Sequence, residues 1–178
     1  VIVPADPIET AAVMRYSVEH VGPMYLRISR VPVREVHRGD YSFVLGRAVT
    51  LREGEDITII ANGIVVSIAL DAAEKLAERG VQARVLNMST LKPLDRESIL
   101  KAARETRGIV TVEEAFASGG LGGAVAEVLA LECPAPMRMI GVPDTFAPTG
   151  TSQFLLDHFG ISVDGITKAA LELSRDEG

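Results

Sequence analysis

Only one cysteine, Cys133, stands in the 178 residues, so no disulfide can close within the chain. A small disulfide-held scaffold is excluded, and the lone thiol fits a reducing compartment, with the cytoplasm as the expectation. Positive charge is also in short supply. Lys and Arg number 18 against 24 Asp and Glu, a net charge of −6. With no basic stripe to offset that balance, a nucleic-acid partner is not expected. No charge-free apolar window approaches a membrane-spanning length, so no membrane partner is expected either. Internal repeats, low-complexity tracts and a basic-then-apolar leader are absent. So is an initiating methionine: the chain opens at Val1, inside a strand-like run, which raises the expectation that further sequence precedes it.

What is present is an ordinary globular composition, 47% apolar and 24% charged, with room for one domain or one domain plus part of another. VIVPA (1–5) reads as a short buried strand. In the next segment Asp6 offers an N-cap, Pro7 suits the first helical position and Glu9 the third, a pattern resembling a capping box. Ile8, Ala11, Ala12, Tyr16 and the neighbouring Ala and Val positions supply the apolar helix face, and GPMYLRIS follows as a strand. Two strands and a helix cannot bury a core alone, so residues 1–30 should belong to a larger sheet. Residues 31–41 read as a polar, extended link, and the domain boundary is expected there.

From about residue 42 onward, strands alternate with helices. SFVLGRAVTLREG reads as a strand or a pair of short ones, and ITIIANG, VQARVLNMST, GIVTVEEA and PMRMIGVPD read as strands. IVVSIALDAAEKLAERG reads as a helix stopped by Gly80, and DRESILKAARETR as one capped by Asp95. GLGGAVAEVLALECP, SQFLLDHFG and SVDGITKAALELSRDEG complete the helices, the last with Ser162 as its cap. The pattern predicts an α/β fold: a mainly parallel sheet covered on both faces, in three layers.

The run EEAFASGGLGGAVAEVLA (113–130) is the most conspicuous local feature. A dinucleotide fingerprint needs glycines at relative positions one, three and six. Counting from Gly120, the third position is Gly122 but the sixth is Val125, and no Walker lysine follows. Glu113 and Glu114 would also repel a phosphate. The loop therefore reads as a tight turn for close helix packing. Gly39-Asp40, with Asn62 downstream, has Tyr41 where a metal–diphosphate motif needs a second glycine, so it reads as a linker turn. His20, His37 and His158 lie in separate elements without ligand spacing or a sequence-local acid. His20 suits a helix C-terminus, and Cys133 a buried or semi-exposed thiol. Arg30 is different: it closes the apolar run MYLRIS, where ligand crevices of parallel sheets lie, and a guanidinium there suits a phosphate or carboxylate. Arg27, three residues earlier, falls on the opposite face of such a strand.

Taken in order, these stretches resemble the transketolase family. ADPIETAAVMRYSVEHVGPMYLRISR resembles the end of its pyrimidine-binding domain. The stretch from FVLGRAV to LKPLD, VTVEEAFASGGLGGAVAEVLA and VPDTFAPTGTSQFLLDHFGIS resemble its C-terminal domain, most closely that of the short, two-subunit members. The resemblance implies domains at 1–33 and 42–178 joined by a linker at 34–41. It implies a transferase moving a two-carbon ketol unit between sugar phosphates, with thiamine diphosphate and Mg²⁺ in the intact enzyme. It implies a partner subunit or missing N-terminal part, in a homo- or hetero-oligomer that is at least a dimer. Arg30 matches the family arginine that binds the substrate phosphate, with Ser29 beside it. No catalytic, cofactor or metal residue is carried over to this stretch, which is expected to be inactive alone. The glycine loop becomes a packing and interface element, although Ala115 stands where many short relatives have histidine. The related 1-deoxyxylulose-5-phosphate synthases and 2-oxoacid dehydrogenase beta subunits are alternative readings. A non-catalytic α/β module that docks or binds a small anion near Gly119–Gly123 is another.

Overall fold

Residues 1–175 are described by a computed structural model. Five strands, β1 (Val49–Arg52), β2 (Ile57–Ala61), β3 (Ala83–Asn87), β4 (Ile109–Phe116) and β5 (Met137–Val142), form one sheet in the order β1-β3-β2-β4-β5. β2 through β5 run parallel, while β1 pairs antiparallel with β3 at the edge. All five residues of β2 and of β3 are buried, as expected of strands covered on both faces. Alternation then assigns the layers. Ile59, Val85, Val110 and Val112 face one core, and Ile60, Leu86 and Ile109 the other.

Helix α1 spans Pro7–Glu19, α2 Val66–Ala77, α3 Arg96–Glu105, α4 Leu121–Glu132, α5 Ser152–His158 and α6 Val163–Arg175. α2 and α6, with Leu156 of α5, cover one face of the sheet, and α3 and α4 cover the other. The expected three-layer α/β/α arrangement is the one observed. Local chemistry sets the helix ends. The Asp95 carboxylate accepts from Ser98 N–H at 3.1 Å, and Gly80 follows α2 at φ +79°. The Ser162 hydroxyl accepts from Gly165 N–H at 3.2 Å. The last three residues of the expected final helix, 176–178, lie outside the described residues.

The N-terminal strands are shorter than their apolar runs suggest. VIVPA and GPMYLRIS form no ladder, only isolated bridges from Ile2 to Leu26 and from Ile2 to Thr90. SFVLGRAVTLREG is strand only over β1. Bridging to the main sheet still fixes the N-terminal segment. Val3 N–H donates to Ser89 O at 2.8 Å, and Gly63 N–H donates to Val3 O at 3.2 Å. Ile2 in turn accepts from Arg27 N–H and donates to Tyr25 O, both at 2.9 Å. Residues 25–27 are thereby hung from the C-terminal ends of β2 and β3.

The expected apolar face of α1 is buried only in part, and a glutamate shares the buried side. Glu9 and Val13 are buried, whereas Ala11 is exposed and Ile8, Ala12 and Tyr16 are half-buried. Glu9 is 0% exposed because its carboxylate is fully engaged. It accepts from Ala5 N–H (2.7 Å), the Tyr41 hydroxyl (2.8 Å) and Asn87 Nδ2 (2.9 and 3.0 Å). The capping box is thus displaced by one residue: Asp6 caps Glu9 N–H at 2.7 Å, but Glu9 reaches back to Ala5 rather than to Asp6. The second Asp6 oxygen accepts from Val36 N–H (2.7 Å), His37 N–H (2.8 Å) and His37 Nδ1 (3.1 Å). His37 Nε2 lies 3.2 Å from Asn87 Nδ2, a donor, so Nε2 accepts and Nδ1 donates. The link expected to be polar and extended therefore carries a buried histidine that locks it to both neighbours. Gly39-Asp40 does form an exposed turn. On its other side α1 leaves Met14 and Val18 exposed, and Val21, just past its end, is 97% exposed.

Burial alone would raise the Asp6 carboxyl. The N–H groups of Glu9, His37 and Val36 instead hold it below its usual 3.8. Burial, followed by the adjacent Glu9, pushes the Tyr41 hydroxyl strongly up. Because the folded state favours ionised Asp6, its contribution is present above pH 3.8 and is lost as the pH falls through the depressed folded value. Asp6→Asn is expected to cost roughly 3 kcal/mol, because an amide leaves N–H donors facing N–H donors in a buried site. Urea titration at pH 7 and at pH 3 checks both points: the penalty should shrink at the lower pH.

Candidate functional site

Chain connectivity creates a crevice between β2 and β4. From β2 the chain crosses to β3 on one side. From β3 it returns past β2, on the other face, to reach β4. Ligand crevices of doubly wound sheets lie outside the strand C-termini at such a reversal. β2 and β4 are in register from Thr58–Ile109 to Ala61–Val112, so Asn62-Gly63 and Glu113-Glu114 emerge at the same level. A cleft of about 220 Å³ opens there, lined by Val3, Pro4, Arg27, Ile28, Ser29, Arg30, Gly63, Ile64 and Glu114.

Both sequence-predicted site residues, Ser29 and Arg30, line this cleft. Arg30 is exposed and makes no hydrogen bond or ion pair among the described residues. Ser29 Oγ accepts from Val31 N–H at 3.2 Å, a local turn that fixes the backbone beside it. Arg27 departs from expectation. Period-two alternation sends it to the opposite face, yet it lines the same cleft as Arg30. The cause is that the segment has no ladder, only the single bridge at Leu26, so strand alternation does not govern residues 27–30. Arg27 Nη2 donates to the Glu114 carbonyl, and its guanidinium lies 3.7 Å from the Glu114 carboxylate. Burial raises the Glu114 carboxyl, with Arg27 pulling it partly back. The cleft thus holds one paired and one unpaired guanidinium.

Glu113 and Glu114 are adjacent in β4 and have opposite destinations. Glu114 reaches the cleft. Glu113, 2% exposed, turns under the glycine loop, where its carboxylate accepts from Leu121 N–H and Gly122 N–H, each at 2.8 Å. Burial raises the Glu113 carboxyl, and the two N–H groups and the Arg27 charge oppose that shift. The helix N-terminus that a phosphate would use is therefore occupied by the chain's own carboxylate. The Gly119–Gly123 loop does not fit a diphosphate, in agreement with its reading as a packing turn. A Cβ on Gly120 would meet Glu113 Oε2 at 2.0 Å and Phe116 O at 2.5 Å. One on Gly122 would meet Met139 Sδ at 2.8 Å.

The remaining candidates stay apart. His20 closes α1 and stacks on Tyr16, and His158 closes α5 against Phe154 and Phe159. Cys133 is the half-buried C-cap of α4. Asn62 is buried with Oδ1 unpartnered, and it does not line the cleft. Among the described residues no cluster of three His, Cys, Asp or Glu side chains is placed to hold a metal ion, and no helix is long and apolar enough to cross a membrane. Sequence reasoning missed Arg27, Glu114 and the His37–Asp6 pair. The last two partners are 31 residues apart and carry no shared motif.

Residues 46–166 match the family model for the transketolase C-terminal domain, and the chain belongs to that family. It is 45% identical over 173 residues to one subunit of the apulose-4-phosphate transketolase of Phocaeicola vulgatus, covering 97% of this chain and 55% of that one. It is 43% identical over 171 residues to the 6-deoxy-6-sulfo-D-fructose transketolase subunit SqwH of Clostridium sp. (strain MSTE9), covering 96% and 53%. A solved split gene transketolase, an inactive beta4 tetramer, superposes with a TM-score of 0.93 at 43% identity, covering 97% of this chain and 57% of that one. The chain spans about half the length of these relatives.

Two glycine substitutions separate packing from propensity. Gly120→Ala is expected to destabilise by about 2 kcal/mol or more, because the new methyl group displaces the Glu113 carboxylate. Gly123→Ala, whose Cβ meets only Ala117 O at 3.9 Å, should be neutral or stabilising by up to about 1 kcal/mol. Thermal melts of the two variants check the order.

Proposed function

We propose that this chain is the C-terminal portion of a thiamine-diphosphate-dependent transketolase. The enzyme transfers a two-carbon ketol unit between sugar phosphates. Residues 1–33 complete a pyrimidine-binding domain, 34–41 link it onward, and 42–178 form the C-terminal domain. Arg30, with Ser29, holds the phosphate of the sugar. The observation that carries this reading is an unpaired, exposed guanidinium on a cleft at the strand C-termini of a transketolase-family domain. Such a group binds a phosphate in a bidentate fork and positions the remainder of the sugar.

Thiamine diphosphate, when bound in the intact enzyme, supplies the electron sink for the carbanion. The residues of this chain do not fit its diphosphate or metal at the glycine loop, whose N–H donors are spent on Glu113. Its site is therefore assigned to the rest of the enzyme, in a partner subunit or an N-terminal part, and Mg²⁺ with it. Relatives that this chain matches over about half their length are themselves named as transketolase subunits, which supports a hetero-oligomeric assembly, and the beta4 tetramer supports self-association of this kind of subunit. These residues alone should neither bind the cofactor nor turn over.

Arg30→Ala, in the assembled enzyme with its partner subunit, is expected to lower kcat/KM for a phosphorylated sugar relative to its unphosphorylated counterpart by roughly 10- to 100-fold, the effect of removing a charge-assisted hydrogen-bond pair. An unchanged ratio would overturn the assignment of Arg30. Steady-state turnover by the isolated polypeptide would overturn the placement of the cofactor elsewhere.

A further inference from the structure

We propose that Glu114 and Arg27 form a charge-setting pair for this cleft. Through the end of β4, the C-terminal domain decides how strongly the site beside Arg30 favours a doubly charged phosphate over a singly charged or neutral terminus. The inference rests on Arg30 being the phosphate ligand.

The pair is built from both sides. On one side the backbone of Arg27 is fixed by its N–H bond to Ile2 O at 2.9 Å. Ile2 lies beside Val3, which is tied to Ser89 and Gly63 at the ends of β3 and β2. On the other side Glu114 is the last cleft-facing residue of β4. Its neighbour Glu113 is buried under α4 with both oxygens engaged, so β4 cannot rotate to exchange the two carboxylates. The Arg27 guanidinium then meets Glu114 twice, at the carbonyl and at the carboxylate.

Electrostatics follows from this arrangement. The cleft carries two guanidinium groups and one carboxylate, and the carboxylate is paired with the guanidinium that does not serve as the free ligand. The side chains of Arg27 and Glu114 are 36% and 28% exposed, so water screens the pair only partly. An anion beside Arg30 feels attraction from Arg27 and repulsion from Glu114. Both contributions scale with the charge of the anion. Neutralising Glu114 should therefore tighten a dianion more than a monoanion. Removing the Arg27 charge should do the reverse, since Glu114 would then face the anion uncompensated. A purely structural pair would behave differently, because losing either member would loosen the cleft and weaken every anion.

The test is competitive inhibition of the assembled enzyme, full chain with partner subunit, by inorganic phosphate and by methanesulfonate at pH 8. Glu114→Gln is expected to lower the inhibition constant of phosphate by roughly three- to tenfold, and that of methanesulfonate by about the square root of that factor. Arg27→Met is expected to raise the phosphate constant by a similar factor. Glu114→Asp, which keeps the charge, should stay close to the unsubstituted enzyme and guards against misfolding as the cause. Shifts in the same direction for Glu114→Gln and Arg27→Met, or equal shifts for the two anions, would overturn the proposal. Arg30→Ala in the same series separates the two readings. If it leaves the phosphate constant unchanged, the phosphate site itself is wrong and the pair falls with it. If it raises the constant while Glu114→Gln does not lower it, only the pair is wrong.

Discussion

Two buried carboxylates, Asp6 and Glu9, set the terms for the N-terminal half of this structure. Neither can be left without donors inside a protein, since an uncompensated buried charge costs several kcal/mol. Their donors come from three places: the backbone around α1, the linker at Val36, His37 and Tyr41, and Asn87 at the end of β3. Satisfying them draws the segment before the linker, the linker itself and the sheet into one hydrogen-bonded body. The residues that line the cleft, Arg27 to Arg30, inherit their placement from that body. The edge that lines the cleft is thus held by these hydrogen-bonded carboxylates together with the buried side chains of Ile2, Val3, Ala5 and Val13.

The cleft follows from a second constraint, the crossing of connections at β2 and β4, which leaves strand ends uncovered. The chain treats its two electropositive positions differently. The N-terminus of α4 is filled from within by Glu113. The space beside Arg30 is left open and bordered by the Arg27–Glu114 pair. Consecutive glutamates in a strand point to opposite sides, so one strand end both closes one site and tunes the other. If the C-terminal domain contributes to substrate selection, this strand end is the route.

Much of this was legible in the sequence because it is local. Asp95 before a helical apolar pattern and Gly80 after one both act as their positions suggest. The five buried residues of β2 are the apolar run ITIIA. The mismatch of Gly120, Gly122 and Val125 to a phosphate fingerprint agrees with a loop whose donors are taken by Glu113. Arg30 stands out because it ends an apolar run. The misses share a cause. Alternation places Arg27 on the wrong side because it assumes a ladder, and a ladder depends on a neighbouring strand that the sequence cannot supply. Periodicity assigns Tyr16 and Ile8 to a buried face on which Glu9 is the more deeply buried residue, because hydrogen-bond donors from distant segments make burying a glutamate favourable.

By itself, then, the sequence determined the elements, their caps, the α/β class, the family resemblance and the residue best suited to hold an anion. These depend on periodicity, backbone preference and side-chain chemistry within a few residues. Only the tertiary structure decided which charges meet. It paired His37 with Asp6 across 31 residues and Arg27 with Glu114 across 87, and it sent Glu113 and Glu114 to different sites. Such pairings depend on distances in space between segments, and electrostatic energy is a function of those distances, which sequence spacing does not contain.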